Sequence, residues 1–188
     1  MCIRDRNCAI AGSVAVCENG NYYNRFYFVH PDGAVQHYDK KHLFTFGGEH
    51  KRFTAGTERV VVNFRGVRIL LEVCYDLRFP VWSRNLGDYD MILYVASWPT
   101  PRVDAWSALL RARAIENQCY VAGVNRMGTD PTCEYSGGSA IIDPYGKTIA
   151  ECPWSRESAV SADIDMEALQ AFRKKFPVLD DADPFTLI

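Results

Sequence analysis

The first third of the chain has short apolar runs separated by turn residues, a pattern typical of β-hairpins. Its longer loop, 47–50, is rich in glycine, and Asn, Gly, Pro and Asp mark the shorter connections. We therefore expect this part to be built from antiparallel strands. The predicted elements are a small-residue interior strand over 8–16, a turn at 19–21, hairpin strands over 25–30 and 34–39 around Pro31-Asp32-Gly33, and strands over 58–64 and 67–74 joined at Arg65-Gly66.

The middle of the chain alternates buried strands with helical periodicity. A short helix is predicted over 79–86, with Pro80 tolerated in its first turn. Continuous apolar runs at 91–97 and 119–124 predict strands, and apolar residues recur at helical spacing across 102–118. Because this order is β-α-β-α-β, we expect parallel neighbouring strands covered by helices.

The last third returns to hairpins over 137–163, including a strand in SAVSADI, and then carries an amphipathic helix over 166–176. The tail 176–185 is predicted to be extended and could dock on a partner. No repeat or linker interrupts the chain, so the fold class is α/β with mixed sheets, in one domain over 1–188.

Composition excludes several classes of protein. With 188 residues, 48% hydrophobic and 23% charged, the chain is typical of a globular domain. Its longest apolar runs are far shorter than the roughly 20 residues of a membrane helix. A net charge of -2 and scattered basic residues give no electrostatic reason to expect a nucleic-acid partner.

Cysteine usage and the start of the chain bear on location. Seven cysteines, an odd number with no C-x-x-C pair, favour reduced thiols in the cytoplasm and argue against zinc. The opening MCIRDR has no apolar stretch, so we do not expect it to be a signal peptide. It is also unlike the rest of the chain, and we expect residues 1–6 to be non-native and the domain to be incomplete at its N-terminus.

Cys74 is the leading candidate nucleophile by position. It ends a buried strand and is followed by Tyr-Asp-Leu-Arg-Phe-Pro, where a helix is predicted to start. A side chain at such a turn is presented at the sheet edge, where the next backbone N–H can face an oxyanion. The alternative is a packed core cysteine.

Other polar residues have competing interpretations. Lys40 and Glu49 would ordinarily be surface residues. His42 could be a core or helix-capping histidine, the base for Cys74, or a metal ligand, although no second ligand lies at metal-binding spacing. Glu72, two residues before Cys74 in an apolar run, must be paired or face a polar cavity. Arg78 and Arg113 are its candidate partners.

Together these residues resemble the nitrilase (carbon–nitrogen hydrolase) superfamily. The matching segments follow one another in the family's order and cover roughly residues 8–163. The finer sequence resembles the omega-amidase branch, which hydrolyses the terminal amide of 2-oxoglutaramate and similar 2-oxo acid amides. The segments that carry the resemblance are Tyr38-x-Lys40-x-His42-Leu43, Glu49 seven residues before Gly56, Cys74-Tyr75-Asp76-Leu77-Arg78-Phe79-Pro80, Trp106, Arg111 to Asn117, Asn125, and Gly138 to Gly146.

The resemblance implies an α-β-β-α sandwich that pairs as a homodimer, here lacking its N-terminal strand–helix unit. It also implies a Glu-Lys-Cys triad that uses no metal or organic cofactor. Lys40 and Cys74 match two of its members, and Glu49 matches a second, auxiliary glutamate. The general-base glutamate belongs to a segment that this sequence does not contain, so we expect the chain by itself to be inactive.

The implied reaction is amide hydrolysis through a cysteine thioester. Lys40 and the Tyr75 backbone N–H would meet the oxyanion. Arg78 could clamp a substrate carboxylate, or instead pack against Asp76 or a partner subunit, and Trp98 could form an apolar wall or simply pack. Rival interpretations are a cysteine peptidase or transferase that uses His42, another superfamily amidase or carbamoyl-amide hydrolase, and a non-catalytic binding module.

Overall fold

Two β-sheets packed face to face organise the structure, a computed structural model that describes residues 5–186. Most of residues 1–6, expected to be non-native, therefore lie outside the described residues. The strands are β1 (Ile10–Glu18), β2 (Asn21–Val29), β3 (Val35–Asp39), β4 (Val61–Phe64), β5 (Val67–Val73), β6 (Met91–Ala96), β7 (Tyr120–Asn125), β8 (Met127–Thr129), β9 (Glu134–Ser136), β10 (Ala140–Ile142) and β11 (Thr148–Glu151). The helices are α1 (Pro80–Ser83), α2 (Val103–Glu116) and α3 (Met166–Lys175).

The smaller sheet is an antiparallel meander in the order β1-β2-β3. Its first hairpin turns at Asn19 and Gly20, whose φ angles of 50° and 80° belong to the left-handed region that two-residue hairpin loops require. The turns predicted at 19–21 and around Pro31-Asp32-Gly33 are confirmed by the pairing of Glu18 with Asn21 and of Val29 with Val35.

The larger sheet has the order β11-β10-β7-β6-β5-β4. Its three central strands, β5, β6 and β7, are parallel, and the outer strands are antiparallel to their neighbours. The predicted β-α-β-α-β unit is thus confirmed, with α1 reduced to a single turn. Because the carboxyl ends of parallel strands share one edge, the residues after β5, β6 and β7 meet there.

Two apolar cores hold the layers together. Between the sheets, Phe26 and Tyr38 pack with Leu71 and Val73, all buried. On the opposite face of the larger sheet, Trp106 and other apolar residues of α2 pack against β6 and β7. The mixed sheets and the covering helix form the α/β sandwich expected from the sequence.

Three sequence expectations were wrong. The strand over 8–16 is not interior: Val14 in β1 is 54% exposed, since β1 pairs with β2 alone among the described residues and its small side chains bury little area. The segment SAVSADI, 158–164, is mostly exposed and forms no strand in the described structure. The tail contains a 3₁₀ turn, Val178–Asp181, rather than a continuous extended run.

A short hairpin of β8 and β9 was not predicted, because three-residue strands carry too little alternation to be recognised. It follows β7 directly and lies at the carboxyl edge of the larger sheet. Among residues 5–186 there is no helix that is both long and apolar enough to span a bilayer.

Candidate active site

Cys74 follows β5 immediately and starts a 3₁₀ turn, Cys74–Arg78. Its φ of 51° places a non-glycine residue in the left-handed region, a costly backbone conformation that is typical of functional turns. The Cys74 Sγ lies 3.9 Å from the carbonyl oxygen of Ser97, which follows β6. The thiol is therefore presented at the carboxyl edge of the sheet, as the sequence predicted.

Lys40 follows β3 and is held by its backbone on both sides. Its N–H donates to the Asn24 carbonyl at 3.0 Å, and its own carbonyl accepts from the Gly56 N–H at 2.9 Å. A Cβ at Gly56 would lie 2.1 Å from the Asp39 carbonyl oxygen, so this close approach requires glycine. The Lys40 side chain is buried, and its Nζ lies 2.7 Å from Glu49 Oε2.

Glu49 is held by three donors. Its Oε2 accepts from Lys40 Nζ and, at 2.6 Å, from the Phe44 N–H, and its Oε1 accepts from Asn24 Nδ2 at 3.2 Å. Burial raises the pKa of the Glu49 carboxyl, but the Lys40 charge and these hydrogen bonds outweigh it, and the pKa is lowered overall. Glu49 is thus an ionised partner of Lys40.

Asp76 ties the two halves of the site together. Its completely buried carboxylate accepts from the Tyr38 hydroxyl at 2.8 Å and from the Val73 N–H at 2.9 Å. It also accepts from the His42 N–H at 2.9 Å. One side chain therefore links the end of β3, which carries Lys40, to the turn that carries Cys74.

His42 is engaged away from the thiol. Its Nδ1 lies 2.8 Å from Asp76 Oδ1, and its ring stacks on Phe79 with the centroids 3.8 Å apart. The hydrogen bond of the Cys74 thiol goes to the Ser97 carbonyl, and His42 does not line the cavity beside Cys74. This geometry contradicts the cysteine–histidine pair expected of a peptidase.

A cavity of about 850 Å³ opens at this edge of the sheet. Burial raises the pKa of the Cys74 thiol above its usual value, while the Lys40 charge and the Ser97 carbonyl contact act in the opposite direction. Lys40 is thus the group that most favours the thiolate. All six site residues predicted from the sequence line this cavity: Lys40, Glu49, Cys74, Tyr75, Arg78 and Trp98.

Arg78 and Trp98 form part of one wall. The Arg78 guanidinium lies over the Trp98 ring, 4.9 Å from its centroid. The alternative that Arg78 packs against Asp76 is wrong, since the oxygens of Asp76 are occupied by Tyr38, His42 and Val73. Trp98 also packs, with its Nε1–H donating to the Arg102 carbonyl at 2.7 Å.

Glu72 does not belong to the cavity and has no ion pair within the described residues, which corrects the expectation of an arginine partner. Its Oε2 accepts from the Ser83 hydroxyl at 2.9 Å, and its Oε1 is buried without a partner in the described structure. Arg113 instead binds Glu116 and the Leu77 carbonyl. Burial, followed by the Asp76 charge, raises the pKa of Glu72 strongly.

Sequence reasoning missed several cavity residues. Arg102 directly precedes α2. Arg126 lies between β7 and β8, Cys133 in the loop between β8 and β9, and Tyr135 in β9. Their shared position after β6 and β7, at the carboxyl edge, was the one available signal. No group of three or more potential metal ligands occurs within residues 5–186.

Comparison with known proteins places the chain in a family. Omega-amidase YafV of Escherichia coli K12 is 54% identical over 182 residues, which are 96% of this chain and 71% of that protein. The 2-oxoglutaramate amidase of Bacillus subtilis is 42% identical, with 92% of this chain and 67% of that protein covered. A CN-hydrolase superfamily protein from Xanthomonas campestris, solved with an arsenic adduct in its active site, superposes with a TM-score of 0.94 at 46% identity, covering 97% of this chain and 72% of that one. The carbon–nitrogen hydrolase family profile matches residues 1–174, and the chain belongs to that family.

Proposed function

We propose that this chain is an omega-amidase-type hydrolase, which cleaves the terminal amide of a small 2-oxo acid such as 2-oxoglutaramate and releases ammonia. The observation that carries the proposal is the ion pair between buried Lys40 and half-buried Glu49, at the cavity that also receives the Cys74 thiol. The relatives named omega-amidase and 2-oxoglutaramate amidase support the substrate class.

The first half of the reaction is acylation of Cys74. The Cys74 thiolate attacks the amide carbon, and the carbonyl oxygen takes up negative charge. Lys40 is the cation available to that oxyanion, and the Tyr75 N–H is a second donor because the first N–H groups of a helical turn lack intrahelical partners. One such donor is typically worth about 3–4 kcal/mol of transition-state stabilisation. Collapse of the intermediate leaves a thioester and releases ammonia, with a general acid–base group passing the proton taken from the Cys74 thiol to the departing nitrogen.

The second half needs a proton acceptor that activates water against the thioester. Within residues 5–186, Glu49 is the one carboxylate residue that lines the cavity. Its lowered pKa and its ion pair make it a poor proton donor to the leaving nitrogen, so its proposed role is to hold Lys40. The resemblance implies a further glutamate as general base, and the proposed mechanism requires one.

Arg78 is the proposed binding partner of the substrate's carboxylate. A guanidinium can donate two parallel hydrogen bonds to a carboxylate, and the Arg78 guanidinium lies over the Trp98 ring, 4.9 Å from its centroid. Trp98 then supplies an apolar surface for the methylene chain between carboxylate and amide.

The oligomeric state, the domain organisation and the location are proposed from the resemblance and the composition. The resemblance favours a homodimer of a single-domain subunit over 1–188, without metal or organic cofactor. The odd cysteine count without C-x-x-C pairs favours the cytoplasm. Analytical ultracentrifugation of the purified chain tests the dimer directly.

The function is tested by incubating the purified chain with 2-oxoglutaramate, a carbamoyl amide and a neutral linear amide. Ammonia release is measured, and the protein is analysed by peptide mass spectrometry. We expect slow release from 2-oxoglutaramate, limited by proton transfer, and a 2-oxoglutaryl adduct that accumulates on Cys74. Preferential release from the carbamoyl amide would replace the proposed substrate, and an adduct absent from Cys74 in an active protein would overturn the mechanism.

A further inference from the structure

Three arginines line the cavity, and each lies over an aromatic ring. Arg78 lies over Trp98. Arg102 lies 5.5 Å from the centroid of Phe44, and Arg126 lies 4.4 Å from that of Tyr135. They come from three separate segments, after β5, before α2 and after β7, so their convergence is a property of the fold.

The positive charge of these arginines is not neutralised inside the cavity. Within residues 5–186, none of the three forms a salt bridge. The one carboxylate residue that lines the cavity there, Glu49, is paired with Lys40. The cavity is therefore cationic although the whole chain has a formal charge of -2.

The position of each guanidinium over a ring leaves the arginines competent to bind an anion. A guanidinium that presents its face to a ring keeps its N–H edge available for a carboxylate. The hydrogen bonds within the described structure use little of that edge: Arg126 Nη2 donates to the Thr129 carbonyl at 3.5 Å, a long contact. Cationic clefts of this kind raise the local concentration of anions and speed their entry.

We propose that Arg102 and Arg126 form an outer anion-binding subsite that selects negatively charged amides and delivers their carboxylate toward Arg78. They are specificity residues and take no part in bond making at Cys74. This inference rests on the proposed function for the reaction itself, but the charge selection is a separate property of the cavity.

Alkylation of Cys74 tests the selection without requiring turnover. Iodoacetate is anionic and iodoacetamide is its neutral counterpart. With both reagents the Cys74 thiolate displaces iodide and forms a thioether. The ratio of their rates at Cys74, resolved from the other cysteines by peptide mass spectrometry, reports the charge of the cavity.

The variants to compare are Arg102→Gln, Arg126→Gln and the double variant. The matched control is Arg156→Gln, at an exposed loop residue outside the cavity.

We expect each single variant to lower the iodoacetate rate several-fold, and the double variant by about tenfold or more, with the iodoacetamide rate within twofold of wild type. Added salt should reduce the wild-type preference and have less effect on the double variant. An iodoacetate-to-iodoacetamide ratio in the double variant equal to that of Arg156→Gln would overturn the proposal.

A hydrolysis assay separates this inference from the proposed function. For 2-oxoglutaramate, the double variant should raise KM with little change in kcat, and a neutral amide of similar length should be unaffected. If wild type hydrolyses no amide while the alkylation ratio responds as expected, the proposed function fails and the charge selection stands. If wild type hydrolyses 2-oxoglutaramate and the variants change neither KM nor the alkylation ratio, the inference fails alone.

Discussion

The Tyr38 hydroxyl donates a 2.8 Å hydrogen bond to Asp76 Oδ2 in the interior between the two sheets. Tyr38 lies two residues before Lys40, and Asp76 lies two residues after Cys74. The distance between the proposed oxyanion-binding cation and the proposed nucleophile therefore depends on a side-chain contact outside the cavity. Residues that never touch substrate are expected to set the geometry of the reaction.

Asp76→Asn should destabilise the protein because an amide nitrogen cannot accept from the donors that now face it. Hydrogen bonds to a buried charged group are worth about 1.5–3 kcal/mol each, so we expect a loss of roughly 3 kcal/mol in the free energy of unfolding. Tyr38→Phe removes two hydrogen bonds, the one donated to Asp76 and the one accepted from the Lys41 N–H at 3.0 Å, and should cost about 2 kcal/mol. Urea unfolding followed by tryptophan fluorescence measures both. Equal stability of Asp76→Asn and wild type would contradict the role given to this carboxylate.

The position of Cys74 could be predicted from the sequence, because a strand followed by a turn and helix has few ways to present a side chain. The parallel order of β5, β6 and β7 could also be predicted, because strands that alternate with covering helices lie parallel. The Lys40–Glu49 ion pair is different, since two charged residues in a polar loop look solvated in sequence. Their roles came from the family resemblance, and their contact joins the end of β3 to the loop that carries Glu49, which no local pattern encodes.

Arg102 and Arg126 show the limit more clearly. Each arginine is ordinary in its own segment. Arg102 is distinguished by the Phe44 ring, which comes from a distant part of the chain, and Arg126 by the ring of Tyr135 in the β8–β9 hairpin. The failure at β1 has a related cause. An apolar run of small residues has the same appearance whether or not another element covers it, so burial could not be inferred from the run itself.

Cysteine variants separate the nucleophile from its neighbours. Cys74→Ala should reduce ammonia release to the background rate while preserving the fold, because a thiol-to-methyl change at a strand end removes little volume. Cys119→Ala should retain activity, since burial raises the pKa of that thiol and its Sγ donates to the Arg113 carbonyl in the core.

Cys133→Ala is the more demanding control, since Cys133 lines the same cavity as Cys74. We expect it to retain activity because the Lys40 charge acts on Cys74. Loss of ammonia release in Cys133→Ala with retention in Cys74→Ala would mean that the nucleophile has been misassigned.

Replacing Lys40 should change the pH dependence of thiol reactivity. Burial raises the pKa of the Cys74 thiol, and the Lys40 charge is the largest influence that lowers it. In Lys40→Gln the alkylation of Cys74 by neutral iodoacetamide should therefore move to higher pH. The double variant Lys40→Gln/Glu49→Gln should lie between this variant and wild type, because the Glu49 charge raises the same pKa by a smaller amount. Identical pH profiles in wild type and Lys40→Gln would show that the ammonium does not act on the thiol.

Glu72 should make stability depend on pH. Burial and the Asp76 charge raise the pKa of its carboxyl above that in the unfolded chain, about 4.3, so the folded state binds the proton more tightly. The stabilisation is complete below the unfolded pKa and is lost as pH rises toward the folded one. Glu72→Gln should flatten the fall in unfolding free energy between about pH 5 and pH 8. Glu157→Gln, at an exposed loop position, is the control, and the same slope in both variants would contradict the assignment.

Turnover by the 188-residue chain should be limited by proton transfer. A positioned general acid–base group typically contributes about 10²–10⁴ in rate, and Glu49, held ionised by Lys40, is a poor substitute. We therefore expect 2-oxoglutaramate hydrolysis slower by about that factor than in the Escherichia coli omega-amidase measured beside it. Added formate should partly restore it, because a small carboxylate can enter the cavity and accept the proton from water. The same formate should leave the Cys74→Ala variant at background. If instead the chain matched the Escherichia coli enzyme without formate, and Glu49→Gln abolished that activity, Glu49 would be the general base and the role proposed for it as a partner of Lys40 alone would be wrong.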